Sequence, residues 1–413
     1  MEQYILPRKE KLIIEAEVLF QFLEEELHFF AKEKGVRAAI YIYKDKIQQI
    51  APLKRNEPFI PPKGCQVIRI PSEWVLIPGF VDCHVHLALD GIKGFRGLRA
   101  PVPKEVLIKR LQLAAGNGLV ALRDGGDSLG TSLFKIADTL AREGTQADVS
   151  SPRLISCGKA LYRRGCYGKS LGNEGITGLN DAEEIINRLR DEGASQLKVV
   201  LTGLVSFQKK GEVGKVQFSA REMRSIVQKA EKKGLPVMVH ASSDSAVRLA
   251  VEAGAHSIEH GFFLKEKTLE LMAAKGVSWI PTVTPVGAAQ LMFKEQQKSP
   301  EKELLQEIIE EHLSNIKKAS QLGVSIGIGT DTGAPGVTWE DGYRQEVLYF
   351  FQAELSPQEV LHAAISNGTN ILEMNKEIGT ISRGKKPRLI CLHKYFFSSP
   401  QAYKGPTAIF KTS

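Results

Sequence analysis

Phe80-Val81-Asp82-Cys83-His84-Val85-His86 is the stretch on which the reading of the whole chain turns. It is short, rich in apolar and β-branched residues, and preceded by Pro78-Gly79, so it predicts a strand. Side chains alternate faces along a strand, which sets Asp82, His84 and His86 on one side and Cys83 and Val85 on the other. Two imidazoles this close at the C-terminal end of a strand suit zinc, which accepts neutral nitrogen donors. Read instead as core histidines, they would crowd one buried face with three polar groups, at a cost in stability.

Working outward from this strand, short apolar segments alternate with longer helical ones, the pattern of parallel βα units. Seven more strands are expected at Leu119–Arg123, Arg153–Cys157, Leu197–Leu201, Val237–His240, Ser257–His260, Trp279–Val283 and Ser325–Gly329. Amphipathic helices are expected at Asp181–Glu192, Ala220–Lys233, Ser243–Ala253, Glu266–Lys275 and Glu301–Leu322. Gly193, Gly234, Gly254, Gly276 and Gly323 follow these helices, where a left-handed C-cap favours glycine. Eight such units predict a (β/α)8 TIM barrel over residues 78–375.

A barrel of this kind takes about 250 residues, so the 413-residue chain has material left at both ends. In the head, Leu12–Leu19 and Ala38–Ile50 read as strands, the second folded at Lys44-Asp45-Lys46. Between them Gln21–Lys34 has apolar residues at helical spacing and predicts a helix. Pro58, Pro61 and Pro62 mark an irregular link. In the tail, Ser356-Pro357-Gln358-Glu359 is a capping box that opens a helix to about Ile365. Strand-like segments return at Leu389–Leu392 and Ala408–Lys411. Residues 1–77 and 376–413 are therefore expected to pair in one small sheet domain flanking the barrel.

Composition narrows the function. The net charge of +8 is spread along the chain, with no basic stripe interleaved with aromatics, which argues against nucleic acid. Five cysteines without paired spacing predict free thiols in a reducing compartment. The first residues lack the layout of a secretion signal, and no apolar run is long enough to span a bilayer. The expectation is a cytoplasmic protein with no membrane or nucleic-acid partner.

Further chemistry lies at other predicted strand ends. Lys198, in Gln196-Leu197-Lys198-Val199-Val200-Leu201, places an ammonium in an apolar strand. Burial lowers a lysine pKa and leaves a nucleophilic amine able to take up carbon dioxide as a carbamate. A lysine paired with a buried acid accounts for the same residue equally well. His240 and His260 end two successive strands, at the edge where such barrels build their sites, while His256 in the preceding turn reads as structural. Asp331 follows the eighth strand in Gly329-Thr330-Asp331, placed to bind metal and exchange a proton with water, or to cap a turn.

Taken together, these segments resemble the amidohydrolase superfamily. Pro78–Leu87 resembles its opening motif, and Arg123-Asp124-Gly125-Gly126 is similar to its glycine-rich turn. Ser257-Ile258-Glu259-His260-Gly261 and Gly329-Thr330-Asp331 are similar to its sixth- and eighth-strand signatures. The resemblance implies that His84, His86 and Asp331 bind a more buried metal and that His240 and His260 bind a more exposed one. It implies that Lys198, with Thr202-Gly203 after it, is a carbamylated bridging ligand, as in the subgroup of Xaa-Pro dipeptidases, N-acyl-amino-acid hydrolases and imidazolonepropionase-like enzymes. It also implies that the small sheet domain is a β-sandwich. The sequence departs from the pattern in the helix at Gln21–Lys34, in Arg388 where relatives carry an acid, and in Ala241-Ser242-Ser243 after His240.

The expected function is a metal-dependent amidohydrolase cleaving a small-molecule amide, such as an N-acyl amino acid, dipeptide or cyclic amide. Two zinc ions, or another divalent metal, would hold a bridging hydroxide, with Asp331 moving the proton. Tyr162, Arg163 and Arg164 form a basic loop after the third strand that could hold a substrate carboxylate. A mononuclear deaminase or imidazolonepropionase-like lactam hydrolase, with Lys198 unmodified, is one alternative. A non-catalytic scaffold is another, and homo-oligomer assembly is left open.

Overall fold

The computed structural model describes residues 1–6, 11–23, 35–54, 57–91, 102–130, 151–172, 174–292 and 300–412. Its strands, in chain order, are β1 (Glu2–Leu6), β2 (Leu12–Leu19), β3 (Gly35–Tyr43), β4 (Lys46–Pro52), β5 (Gln66–Arg69), β6 (Trp74–Pro78), β7 (Phe80–Val85) and β8 (Leu119–Asp124). They continue with β9 (Arg153–Ser156), β10 (Leu197–Val200), β11 (Val237–Ala241), β12 (Ser257–His260), β13 (Ser278–Ile280), β14 (Leu389–His393) and β15 (Ala408–Thr412).

The chain has a TIM-barrel-like α/β fold. β7, β8 and β9 pair in parallel, and β10 to β13 form a second parallel sheet in sequence order. Every residue of β7, β10, β11, β12 and β13 is buried. That is the state of parallel strands covered on both faces, and it explains their near-continuous apolar sequences. The helices between them run over Leu179–Asp191, Ala220–Glu231, Asp244–Ala253, Glu266–Lys275 and Pro300–Gln321, within a few residues of expectation. All five following glycines adopt positive φ, from 65° at Gly276 to 95° at Gly193.

The eighth strand differs from expectation. Ser325–Gly329 makes only an isolated bridge from Ile326 to Trp279, not a regular strand. Its backbone still reaches both neighbours: Trp279 N donates to Ser325 O (2.8 Å), and Cys83 N donates to Ile328 O (2.8 Å). Close packing is the physical reason that glycine is used here. A Cβ on Gly329 would fall 2.3 Å from Ile280 and 2.9 Å from the Cβ of His84. Between β9 and β10 the link is similar, with Leu161 N donating to Lys198 O (2.8 Å).

Head and tail strands share one mixed sheet in the order β1-β15-β14-β6-β2-β3-β4, with β5 also on β2. Its core, including Leu12, Ile14, Val18, Ile40, Leu76 and Phe410, is a cluster distinct from that of the parallel sheets. β1, β5 and β6 were not singled out by the sequence. Of the helix expected at Gln21–Lys34, Phe20–Phe22 forms a 3-10 turn and Leu23 bridges to Ile381, while residues 24–34 lie outside the described residues. The helix opened by the Ser356 capping box runs beyond Ile365, through a π turn at His362–Asn367 to Ile371. Among the described residues no helix is long and apolar enough to cross a membrane.

Candidate metal centre

His84, Lys198, His240, His260 and Asp331 come from β7, β10, β11, β12 and the segment after Ile328, with His86 immediately past the end of β7. The four histidines and Lys198 are buried, and the Asp331 side chain is 14% exposed. The rings of His84 and His260 lie 5.1 Å apart and those of His240 and His260 4.4 Å. His260 and Asp331 adopt left-handed φ values of 69° and 53°. Such backbone is costly for residues with a Cβ and persists only where surroundings over-determine it. At His260 it has a clear effect, because alternation alone would turn Glu259 and His260 to opposite faces.

Hydrogen bonds fix which nitrogen of each ring is free. His84 Nδ1 donates to Glu259 Oε2 (2.6 Å), and His86 Nδ1 donates to the carbonyl of Gly126 (2.8 Å). The Nε2 lone pairs of both then face Asp331 Oδ1, at 3.6 and 3.4 Å. Thr282 Oγ1 donates its proton to Pro281 O and therefore accepts from His260 Nδ1 at 2.6 Å, again freeing Nε2. His240 is reversed: its Nε2 faces Gly203 O at 3.5 Å, which leaves Nδ1 as the free nitrogen. Burial holds His86 and His240 down to about 3, and His84 and His260 well below the usual imidazole range. All four are neutral rings with one nitrogen lone pair turned away from its supporting bond, that of His84 toward Lys198 Nζ, and a neutral ring is the form that binds a metal.

His84, His86 and Asp331 offer ligand atoms within 4.8 Å of one another. Burial pushes the Asp331 carboxyl up to about 7, against the attraction of Lys198. Lys198 Nζ lies 3.3 Å from His84 Nε2, and burial lowers its pKa. Among the described residues it makes no ion pair with a carboxylate, so the buried acid that one reading supplied as its partner is not in contact. A Cβ on Gly125 would stand 2.7 Å from His86 Cε1 and 3.4 Å from His84 Nε2, inside the space these donors share. Neutral nitrogen donors and a carboxylate facing a common volume fit a divalent cation of the zinc type.

Sequence reasoning missed the residues that brace this set. Glu259 accepts from Arg123 (2.7 Å) and Ser257 Oγ (2.6 Å) as well as from His84, and all are buried. Asp82 accepts from the backbone of His84 and Thr330 and from the Thr330 hydroxyl. A buried Arg123 and Glu259 on separate apolar strands were the available signal, since such charges are retained only in pairs. His256 is structural as expected, its Nε2 bonding to Ile371 O.

The loop Tyr162-Arg163-Arg164 is a correction. The Arg163 guanidinium is engaged by the Glu222 carboxylate and the Gln217 carbonyl, because the loop folds back onto the helix at Ala220. Tyr162 and Arg164 line a separate surface depression, and none of the three lines the cavity over the histidines. Arg388 instead bonds the carbonyls of Val120 and Ser151, away from the centre.

The sequence profile of the amidohydrolase family matches residues 75–411. The chain belongs to the amidohydrolase family. Ochratoxinase from Aspergillus niger is 24% identical over 362 residues, spanning 81% of this chain and 73% of that one. Imidazolonepropionase from Legionella pneumophila (strain Paris) is 25% identical over 355 residues, spanning 76% of this chain and 78% of that one. A solved Xaa-Pro dipeptidase with bound methionine has the same fold, with a TM-score of 0.78 at 21% identity over 97% of this chain and 98% of that one. Membership makes this amidohydrolase a hydrolase of amide-type bonds and sets the non-catalytic alternative aside. The cavity of about 370 Å³ in this amidohydrolase opens onto His86, His240, His260 and Asp331.

Proposed function

We propose that this amidohydrolase cleaves a small-molecule amide at a centre of two divalent ions, zinc by the chemistry of the donors. The observation that carries the reading is a set of four neutral imidazoles at neighbouring strand ends, each with its second nitrogen already bonded, with His84 and His86 beside Asp331 and with a buried lysine against His84 that makes no ion pair among the described residues. His84, His86 and Asp331 would hold one ion and His240 and His260 the other. Lys198 would bridge them after taking up carbon dioxide as a carbamate, which removes a buried positive charge and supplies two oxygens. Bound there, divalent ions lower the pKa of water to about 7 and polarise the amide carbonyl. Asp331 stands between the metal-facing nitrogens and the cavity, placed to accept the proton of attacking water and return it to the departing amine. Glu259 holds His84 in one tautomer throughout. We further read residues 78–375 as a closed eight-stranded barrel, residues 1–77 and 376–413 as its small β-sandwich domain, and the cytoplasm as the place of action.

The test is elemental analysis of protein produced with zinc and bicarbonate, together with hydrolysis of N-acyl amino acids, dipeptides and cyclic amides. Two equivalents of metal and turnover of an amide are expected. One equivalent with amide turnover would favour a second reading, a mononuclear enzyme with a free Lys198 amine. The tight grouping of only His84, His86 and Asp331 is the observation that supports it.

A further inference from the structure

The cavity above the histidines is walled mostly by hydrocarbon. Phe207 and Leu204 enter it after β10, Phe262 after β12, and Val286 and Met292 from the helix Thr284–Met292. Leu204 and Met292 also remain 45% and 59% exposed, so the apolar wall continues to the mouth. Large apolar side chains in water carry information when they border a cavity, because nothing else in the fold requires them there. Among the described lining residues there is no lysine or arginine. Of the two basic side chains that the sequence offered for a substrate carboxylate, Arg163 is spent on Glu222 and Gln217, and Arg164 lines a separate depression.

Transfer energies then discriminate between substrates. A negatively charged arm would leave water for this wall without a lysine or arginine partner among the described lining residues, which is strongly disfavoured. An apolar arm gains about tenfold in binding for each ~55 Å² of its surface removed from water, at ~25 cal/mol per Å². A volume of about 370 Å³ also falls in the range of small-molecule sites, roughly 300–1,000 Å³.

We propose that the chamber selects amides with one bulky, uncharged apolar arm, aryl or branched alkyl, over amides whose arms carry a carboxylate. The bond cleaved rests on the amide-hydrolase reading, whereas the nature of the arm rests on the chamber alone.

Two measurements on the metal-loaded full chain separate these. The first is fluorescence titration with N-phenyl-1-naphthylamine, a neutral aromatic that brightens in apolar surroundings. One equivalent should bind, and Phe207→Asp should weaken binding by at least about tenfold with metal content and circular dichroism unchanged. Phe207→Leu should keep most of it. The second compares kcat/KM for acetanilide and N-methylbenzamide, each with one aryl arm on a different side of the amide, with N-acetylglycine and N-methylsuccinamate, each with one carboxylate arm. The better aryl amide should exceed both carboxylates by at least about tenfold, and Phe207→Asp should erase that margin. No probe binding, binding indifferent to Phe207→Asp, or preference for a carboxylate amide would overturn the proposal. Probe binding that responds to Phe207→Asp, without cleavage of any amide, would leave the chamber's preference standing and remove the amide-hydrolase reading instead.

Discussion

The two halves of the donor set are built to different standards. On the His84 and His86 side, one ring is held by a carboxylate that is itself held by Arg123 and Ser257, the other by a backbone carbonyl. On the His240 and His260 side, the supports are a neutral threonine hydroxyl and a carbonyl at the long distance of 3.5 Å. Charged supports fix a ring and raise its basicity more than neutral ones. The difference teaches that one half of the donor set is pre-organised, whereas in the proposed centre the other would depend on something placed between the two. Lys198, beside His84 and facing the gap, is the residue positioned to supply it.

Removing Lys198 should therefore have the largest effect. Lys198→Ala is expected to abolish turnover and reduce bound metal from two equivalents to one, leaving the His84 half filled. Acetate or propionate should restore part of the activity by occupying the vacated bridge. Metal analysis showing both ions retained, with no rescue by acids, would mean the halves do not differ as described.

Asp331→Asn comes next. The variant should keep most of its metal and lose roughly 10²–10⁴-fold in kcat, the usual worth of a positioned acid–base group. Steady-state kinetics beside elemental analysis separates this from simple metal loss.

The braces test the comparison directly. Glu259→Gln should weaken metal binding or activity by about 10–100-fold and lower stability, since Arg123 loses its buried counter-charge. Thr282→Val should cost about tenfold or less and act on the second ion only. Equal losses in competitive chelator titrations of the two variants would erase the asymmetry.

A separate effect concerns acid. His312 stacks on Phe262 at 4.0 Å and meets Trp279 edge-on at 5.3 Å, and Trp279 Nε1 donates to His260 O. Burial lowers His312 from 6.5 to about 4. The folded state then binds fewer protons than the unfolded one between these values, so its stabilisation is full above pH 6.5 and is lost as pH falls toward 4. The loss approaches roughly 3 kcal/mol. Urea midpoints across this window should fall less in His312→Phe than in the wild type.

Much of the barrel was legible because its physics is local. Buried parallel strands are apolar runs, and helix ends need left-handed residues, so both leave marks within a few positions. The candidate ligands stood out for a related reason: histidine, lysine and aspartate at the ends of apolar strands have few other reasons to be there. What failed depends on distant neighbours. The segment Ser325–Gly329 has strand-like composition, but Gly327 and Gly329 answer to contacts with Cys83, Ile280 and His84, far away in sequence. Arg163 was read as free because nothing nearby in sequence reveals Glu222 beside it. Strand β1 escaped notice because it is five residues long and its pairing is with the far end of the chain. The cavity wall, drawn from several loops, had no sequence signature at all.

That last pairing has a consequence for biosynthesis. β1 runs parallel to β15, with Glu2 opposite Ala408 and Leu6 opposite Thr412, and among the described residues it has no other strand neighbour in the sheet. β6 likewise waits for β14. A ribosome adds about 5–20 residues per second, so β1 stays without its partner for tens of seconds while the chain up to β15 is translated. The parallel βα units between them are complete earlier and can fold while still tethered, whereas the mixed sheet is sealed only once β15 has been made. A nascent chain stalled before residue 389 should therefore present the edges of β1 and β6 to chaperones, with all the candidate metal-binding residues already made.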